Sequence, residues 1–146
     1  MQRPKTLLRD IFGFNEFRSG QSEIIDAVVD RQNVLAIMPT GGGKSLCFQL
    51  PALMGEGLTI VISPLIALMR DQVRGLQAAG VPAEAITSAH TEEETDKIFS
   101  ALNASKLRIL YLAPERLAST AMQSALHRYN VAVSYTHLTL PTTPYV

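Results

Sequence analysis

The sequence predicts an α/β fold in which helices cover both faces of a parallel sheet. Two observations favour this class: short apolar or β-branched runs alternate with helical patterns, and a glycine-rich loop follows the first run and opens a helix. Because each helix between two strands returns the chain to the start of the next strand, such strands pair in parallel. The predicted strands are residues 34–38, 58–62, 85–87 and 108–112, with a fifth that starts at 131–133.

Helical patterns separate and precede these runs. Ser19 and Ser63 are the predicted caps of the first and third helices, and Gly80 ends the third. Three successive glutamates open the fourth helix, where they suit the positive end of the helix dipole and indicate a solvated face rather than a metal site. The predicted helices are residues 19–30, 44–54, 64–80 and 92–103.

The composition excludes several classes of protein. The 146 residues suit one domain, and an apolar fraction of 47% is too high for a disordered chain. No apolar run reaches the ~18 residues of a membrane span, so we expect no membrane partner. The single cysteine, Cys47, excludes an internal disulfide and is expected in the core. Zero net charge argues against a protein that coats DNA, and the lack of a signal-peptide pattern predicts a cytoplasmic location.

The strongest motif is the loop of residues 38–45, which reads MPTGGGKS. Three successive glycines let the backbone approach a phosphate without side chains in the way. Lys44 can reach the β- and γ-phosphates of a nucleotide, and the Ser45 hydroxyl can be a ligand of Mg²⁺. A general phosphate loop has glycine where Met38 stands. The alternative is a glycine turn with a chance lysine, but a strand before the loop and a helix after it favour nucleotide binding.

Residues 38–53, MPTGGGKSLCFQLPAL, resemble the phosphate-loop segment of RecQ-family DNA helicases, which belong to helicase superfamily two. The family commonly has Met at the first position, and the resemblance extends over roughly residues 7–132. It implies a RecA-like P-loop NTPase fold, ATP and Mg²⁺ as cofactors, Lys44 as a catalytic residue and Ser45 as the metal ligand. The phosphate-loop residues it implies are Pro39, Thr40, Gly41, Gly42, Gly43, Lys44 and Ser45.

Residues 12–21, FGFNEFRSGQ, resemble the adenine-recognition motif of the same family. The resemblance implies that Gln21 reads the adenine edge while Phe14 and Arg18 stack on the base. These residue types suit the task, because an amide offers a donor and an acceptor, and an aromatic ring and a guanidinium can enclose a base. Many family members have Tyr where Phe14 stands. Phe12 and Phe17 are expected in the core.

Two further segments resemble the family's DNA-contacting motifs Ia and Ib. Residues 63–73 and 113–117 each follow a predicted strand, where hydroxyl and backbone N–H groups can hold a DNA phosphate. The alternative is a capped amphipathic helix, and that interpretation is favoured for Leu65, Leu68 and Met69. The DNA-binding residues that the resemblance implies are Ser63, Pro64, Leu65, Pro114, Glu115 and Arg116.

The resemblance stops after residue 132, where the family would continue into Asp-Glu-Ala-His. Residues 133–146 instead read VSYTHLTLPTTPYV, and no charged residue follows Arg128. We therefore expect residues 1–132 to be a partial first RecA-like lobe with a sheet incomplete at its C-terminal end. The hypothesis for residues 133–146 is a non-native tail, such as a translated linker or frame-shifted read; the alternative is a natural variant that ends in a Thr-rich strand.

The resemblance implies the ATP-binding part of a 3′-to-5′ DNA helicase of repair and recombination. The partners would be ATP and, through the intact parent protein, single-stranded or duplex DNA. Hydrolysis needs the acidic motif and an arginine from a second RecA-like lobe. This chain contains neither, so we expect weak nucleotide binding without unwinding. The alternatives are a small P-loop phosphotransferase, for which no acceptor motif or lid is visible, and a non-catalytic nucleic-acid-binding module, against which zero net charge counts.

Overall fold

A computed structural model describes residues 4–38, 43–128 and 131–136, the last of these by the backbone. These residues form six α-helices, one 3₁₀ segment and four strands, and three of the helices precede the first strand. Of the helices in this described part, none has the length and apolar character that crossing a membrane requires. The elements are α1 (Pro4–Asp10), α2 (Gln21–Val29), α3 (Leu46–Met54), β1 (Leu58–Ile62), α4 (Ile66–Ala78), β2 (Ala83–Ile86), α5 (Glu92–Asn103), β3 (Ile109–Leu112), the 3₁₀ segment Pro114–Ala118, α6 (Thr120–His127) and β4 (Val131–Thr136).

The four strands form one sheet in the order β2-β3-β1-β4, and every neighbouring pair is parallel. This confirms the predicted parallel sheet and its crossover helices. β1 has the predicted bounds, whereas β2 begins two residues earlier than predicted and β4 continues to Thr136. The register of β4 against β1 is irregular, because Leu58 pairs with Val131 and Thr59 already pairs with Val133. Ala132 is therefore an extra residue in β4, as in a β-bulge.

Helices pack on both faces of the sheet, as predicted. Side chains alternate between the faces along a strand, so Tyr111 of β3 lies on one face and Leu110 on the other. The face with Tyr111 packs against α3 and α4 through Phe48, Ala52, Met69, Val73 and Leu76. The opposite face packs against α5 and α6 through Ile98, Leu102 and Met122.

A third apolar cluster joins the N-terminal helices to α3. It contains Leu7 and Leu8 from α1, Ile25 from α2, and Leu46 and Leu50 from α3, all buried. Fully burying a side chain of this size contributes about 1.5–3 kcal/mol. This cluster therefore fixes the segment between α1 and α2 beside the start of α3.

The predicted strand at residues 34–38 is wrong. The chain is irregular there, and Leu35 and Ile37 are 81% and 83% exposed. An apolar run becomes a strand only when a neighbouring backbone accepts and donates its hydrogen bonds. None of the four strands pairs with this run within the described residues. The apolar pattern therefore indicates residues that favour burial, but it does not indicate which strand would pair with them.

Two predicted helix caps are also wrong. Gly20, rather than Ser19, precedes α2, and it has a left-handed conformation with φ +85°. Leu65, rather than Ser63, precedes α4, because the helix begins only at Ile66. Ser63 instead accepts a hydrogen bond from the Leu65 N–H (3.2 Å), as in a turn that a serine side chain stabilises.

Helix α5 has the predicted bounds, and two reciprocal hydrogen bonds cap its first turn. The Glu94 N–H donates to the Thr91 hydroxyl (3.2 Å), and the Thr91 N–H donates to a Glu94 carboxylate oxygen (2.8 Å). The bond from the Thr91 backbone holds the pKa of Glu94 below its usual value. The glutamates at this end thus include one with a clear structural role.

We expect Thr91→Ala to lower the free energy of unfolding by about 1 kcal/mol, because the first turn of α5 loses its side-chain acceptor. Urea unfolding followed by circular dichroism measures the change. Thr95→Ala is the matched control: its hydroxyl donates only to the Thr91 carbonyl within the helix, and alanine favours helix. Equal losses for the two variants would contradict the capping role.

The double substitution Leu35→Ser with Ile37→Ser should change the free energy of unfolding by less than about 0.5 kcal/mol, because both side chains are exposed. It should also reduce self-association in sedimentation experiments, since exposed apolar groups favour it. Leu110→Ala, at a fully buried position of β3, is the control and should cost about 2–5 kcal/mol. A loss of that size in the double variant would place residues 34–38 in the core.

Candidate functional site

Helix α3 runs antiparallel to β3, and polar contacts fix this direction. At the start of β3, Arg108 donates through Nη2 to the carbonyls of Ala52 (2.9 Å) and Gly55 at the end of α3. Further along, Gln49 donates to the Tyr111 hydroxyl (2.9 Å). The first turn of α3 therefore lies towards the carboxyl ends of the strands, the edge at which α/β sheets bind ligands.

The last three residues of the predicted phosphate loop precede α3. Gly43 has φ +77°, and Lys44 and Ser45 are partly buried. The first turn of α3 contains no acidic side chain, so its positive dipole end is not neutralised from within the helix. Among the described residues, neither the Lys44 ammonium nor the Ser45 hydroxyl has a hydrogen-bond or ion-pair partner. The predicted residues Pro39, Thr40, Gly41 and Gly42 lie outside the described residues.

Gln21 connects the predicted adenine motif to this loop. Its side chain is 3% exposed. Its Oε1 accepts from the Arg18 N–H (2.8 Å), and its Nε2 donates to the Gly43 carbonyl (3.1 Å). An amide has one further hydrogen and one further lone pair, so two contacts remain for another partner. The structure thus brings two motifs 22 residues apart into direct contact.

The other residues of the adenine motif differ in exposure. Phe14 is 52% exposed, and Arg18 is exposed as well. Phe12 and Phe17 are partly buried and pack against the cluster of α1, α2 and α3, which confirms their predicted place in the core. Phe14 is therefore the aromatic ring that this segment presents at the surface.

Cys47 lies in the first turns of α3 and is buried, as predicted. Its Sγ lies 3.9 Å from the Gly43 carbonyl and 4.0 Å from the Met38 sulfur. Burial raises the pKa of this thiol above its ordinary value. A raised pKa disfavours the thiolate, which fits a packing residue and not a nucleophile.

The two predicted DNA-contacting segments leave the sheet side by side. Ser63 follows β1 and Ala113 follows β3, and the Ser63 N–H donates to the carbonyl of Leu112 at the end of β3 (3.1 Å). Pro64, Leu65, Pro114 and Glu115 are exposed beyond this edge, whereas Ser63 is buried. The predicted short helical turn after β3 is confirmed as the 3₁₀ segment.

Arg116 is directed towards a third strand end that no sequence motif had indicated. Its guanidinium donates through Nη2 to the carbonyl of Thr87, the residue after β2 (2.8 Å). Thr87 is fully buried, and its N–H donates to Nδ1 of His90 (3.0 Å) in a tight turn. The sequence around Thr87 contains no motif that predicts this contact, because the contact forms only when β2 lies next to β3. The carboxyl edge thus joins three loops.

The apolar side chains at the start of α4 do not share one environment. Met69 is fully buried, as predicted for the core face of this helix. Leu65 and Leu68 are 41% and 37% exposed, so these two side chains do not lie on the core face. They face outwards because Leu65 precedes the helix and Leu68 lies one position before the buried stripe of Met69, Val73 and Leu76.

Within the described residues, no group of three or more His, Cys, Asp or Glu side chains is placed to hold a metal ion. A sequence model described as DEAD/DEAH box helicase matches residues 18–135, which include the end of the adenine motif, the loop, β1 to β3 and all but the last residue of β4. The chain belongs to the DEAD/DEAH box helicase family. The small parallel sheet with helices around it is the RecA-like arrangement expected for this helicase family, and the sheet is incomplete.

Relatives of this helicase-family chain include proteins named ATP-dependent DNA helicase RecQ from Bacillus subtilis and from Synechocystis sp. The chain is 50% identical to the former over 120 residues and 46% identical to the latter over 124 residues. ATP-dependent DNA helicase Q1 of Rattus norvegicus is 42% identical over 120 residues. These matches cover 82%, 85% and 81% of this chain but only 20%, 26% and 19% of the relatives. The resemblance to RecQ helicases is confirmed, and the chain spans about a quarter or less of these relatives.

Gly43→Ala should lower the free energy of unfolding by about 1–2 kcal/mol, because a side chain at φ +77° is strained. A Cβ at this position would also collide with Gln21 Nε2. Gly75→Ala is the control, since Gly75 lies inside α4 with open space around it and alanine should add about 1 kcal/mol there. Urea unfolding of both variants measures the difference. Equal effects would refute the constraint at Gly43.

Proposed function

We propose that this chain is the ATP-binding part of a 3′-to-5′ DNA helicase that acts in DNA repair and recombination. The observation that carries the proposal is the hydrogen bond from Gln21 to the Gly43 carbonyl. It joins a segment suited to a base to a loop suited to phosphates, which are the two ends of a nucleotide. We also propose that the protein acts in the cytoplasm.

The proposed nucleotide site assigns each residue a task. Lys44 is the catalytic residue that reaches the β- and γ-phosphates, while residues 40–43 contact phosphate oxygens through their backbone N–H groups. Pro39, which has no N–H, opens the loop beside the phosphates. Phe14 and Arg18 stack on adenine, and their exposure supports this role. Gln21 reads the adenine edge with the hydrogen and lone pair that its contacts within the chain leave available.

The Ser45 hydroxyl is a suitable ligand for Mg²⁺. Ser45 has a hydroxyl without a partner among the described residues, and hydroxyl oxygens are ligands that Mg²⁺ accepts beside phosphate oxygens. Bound there, the ion would neutralise charge on the nucleotide phosphates. The role of this chain is to position the phosphates and the hydroxyl together at the start of α3.

The proposed DNA-binding edge consists of Ser63, Pro64 and Leu65 after β1, and of Pro114, Glu115 and Arg116 after β3. The hydrogen bond between the Ser63 N–H and the end of β3 supports a shared surface. Arg116 reaches the Thr87 carbonyl with only part of its guanidinium, which has five N–H donors. Exposed Pro64 and Leu65 offer contact area to a DNA strand.

Unwinding by the whole protein requires a second RecA-like lobe, so this chain alone is proposed to bind nucleotide weakly without turnover. Residues 1–132 form the helicase portion, and residues 133–146 are proposed to be a tail unlike the family. The absence of any charged residue after Arg128 supports this division, since the acidic motif that holds Mg²⁺ and orients water in the family would follow residue 132.

ATP with Mg²⁺ at tenfold its dissociation constant should stabilise the chain by about 1.4 kcal/mol, which raises Tm by about 4 °C. GTP should give a smaller rise, because Gln21 complements adenine. Lys44→Ala should remove most of the ATP effect, and Lys97→Ala, an exposed lysine of α5, should not. Differential scanning fluorimetry makes the measurement, and a phosphate-release assay with single-stranded DNA should detect no turnover.

Three results would change the proposal. No nucleotide-dependent rise in Tm would refute the ATP site. DNA-stimulated turnover that Lys44→Ala abolishes would refute the inactivity of this chain while supporting the helicase assignment. Phosphate transfer that occurs only with a small-molecule acceptor would favour the phosphotransferase alternative.

A further inference from the structure

Three polar side chains meet on the face of the sheet that α3 and α4 cover. Gln49 of α3 donates through Nε2 to the Tyr111 hydroxyl of β3 (2.9 Å), and that hydroxyl donates to Oε1 of Gln72 in α4 (2.8 Å). Gln49 Nε2 and Gln72 Oε1 are themselves 3.4 Å apart. Tyr111 is 1% exposed, Gln49 is buried and Gln72 is half-buried, so this polar cluster is largely enclosed by the apolar core.

Each member of this Gln49–Tyr111–Gln72 cluster belongs to an element that starts or ends at a proposed site. Gln49 lies four residues after Ser45, at the start of α3, and its backbone N–H donates to the Ser45 carbonyl (2.9 Å). Tyr111 lies one residue before the end of β3, which leads to Pro114. Gln72 lies on the helix that follows Ser63–Leu65. The cluster therefore connects the phosphate-loop helix to both DNA-facing segments.

The geometry of the cluster resists small displacements. The Tyr111 hydroxyl accepts from one amide and donates to the other, so its lone pair orients the Gln49 amide and its proton orients the Gln72 carbonyl. Hydrogen bonds of this kind are stronger and more directional in a buried environment than in water. The ring of Phe48, next to Gln49 on α3, meets the Tyr111 ring edge-on with centroids 6.3 Å apart. A shift of α3 along its axis would therefore move Tyr111 or break its bonds.

We propose that Gln49, Tyr111 and Gln72 are positioning residues that couple nucleotide binding at the start of α3 to DNA binding at the ends of β1 and β3. This inference rests on the proposed function. Gln49 and Gln72 lie within the segments that resemble the phosphate-loop and DNA-contacting motifs, but none of the three residues is among those proposed to contact a ligand. They therefore act through the elements on which they lie. A nucleotide that draws the first turn of α3 towards its phosphates changes the position of Gln49. Tyr111 and Gln72 transmit that change to β3 and α4.

Coupling between two binding sites is measured as the factor by which one ligand changes the dissociation constant of the other. The factor is the same in both directions. A residue that only supports the fold changes Tm or weakens both ligands without altering this ratio. A coupling residue alters the ratio itself. The ratio is measured as the dissociation constant of a fluorescent, non-hydrolysable ATP analogue without DNA, divided by its value with saturating oligodeoxythymidylate.

We expect single-stranded DNA to change the affinity of the analogue by at least about fivefold in the unsubstituted chain. Tyr111→Phe keeps the ring and removes the hydroxyl, and it should reduce this factor to below about twofold. Gln72→Met keeps the length of the side chain at a half-buried position and should have the same effect even if Tyr111→Phe does not fold. Gln77→Met on the same helix is the matched control, because Gln77 donates to the Ala83 carbonyl outside the cluster. It should keep the fivefold factor.

The outcomes separate the inference from the proposed function. If the unsubstituted chain binds neither probe, the proposed function fails and the coupling inference falls with it. If it binds both probes independently, the sites stand and the coupling inference is overturned. The inference is equally overturned if Tyr111→Phe and Gln72→Met keep the full factor, or if Gln77→Met loses it. Loss of the factor in Tyr111→Phe and Gln72→Met alone, with folded proteins by circular dichroism, supports it.

Discussion

The antiparallel packing of α3 on β3 is the constraint on which the rest of the arrangement depends. Arg108 fixes one end of this packing through the last carbonyls of α3, and Gln49 fixes the middle through Tyr111. A basic side chain at a helix C-terminus satisfies carbonyls that have no partner within the helix and complements the negative dipole end. With α3 held in this direction, its first turn and the carboxyl ends of the strands share one edge. Among the described residues, Lys44, Ser45 and the proposed DNA contacts lie at that edge.

Polar groups inside this apolar core select one position of α3 on the sheet among several that would have similar packing energy. Apolar contacts between α3 and the sheet, such as Phe48 and Ala52, stabilise the pair but tolerate sliding. Gln21 and Tyr111 do not, because a buried amide or hydroxyl that loses its partner costs about 1–3 kcal/mol. No buried side-chain nitrogen or oxygen among the described residues lacks a partner. The polar cluster and the Gln21 bridge therefore specify position more than they add stability.

Sequence reasoning succeeded where the information is local and failed where it is not. The bounds of β1 and α5 follow from a β-branched run and from an acidic helix start, and both were predicted from neighbouring residues. Residues 34–38 have an equally apolar pattern, yet a strand also needs a hydrogen-bonding neighbour, which the pattern does not contain. Gln21 was assigned to the nucleotide site by resemblance, but its contact with Gly43 depends on how α2 packs on α3. Gln49 and Gln72 lie within segments that resemble family motifs, but only tertiary packing shows that both reach Tyr111.

The strand order also has a consequence for synthesis and folding. Thr59 of β1 pairs with Ile109 of β3, 50 residues later in the chain, and with Val133 of β4, which comes later still. Since ribosomes add about 5–20 residues per second, β1 waits roughly 3–10 s for its first neighbour. During this time an apolar strand with two open edges is exposed, and such non-local pairing makes folding slow. The parallel sheet that gathers the proposed sites at one edge therefore slows folding.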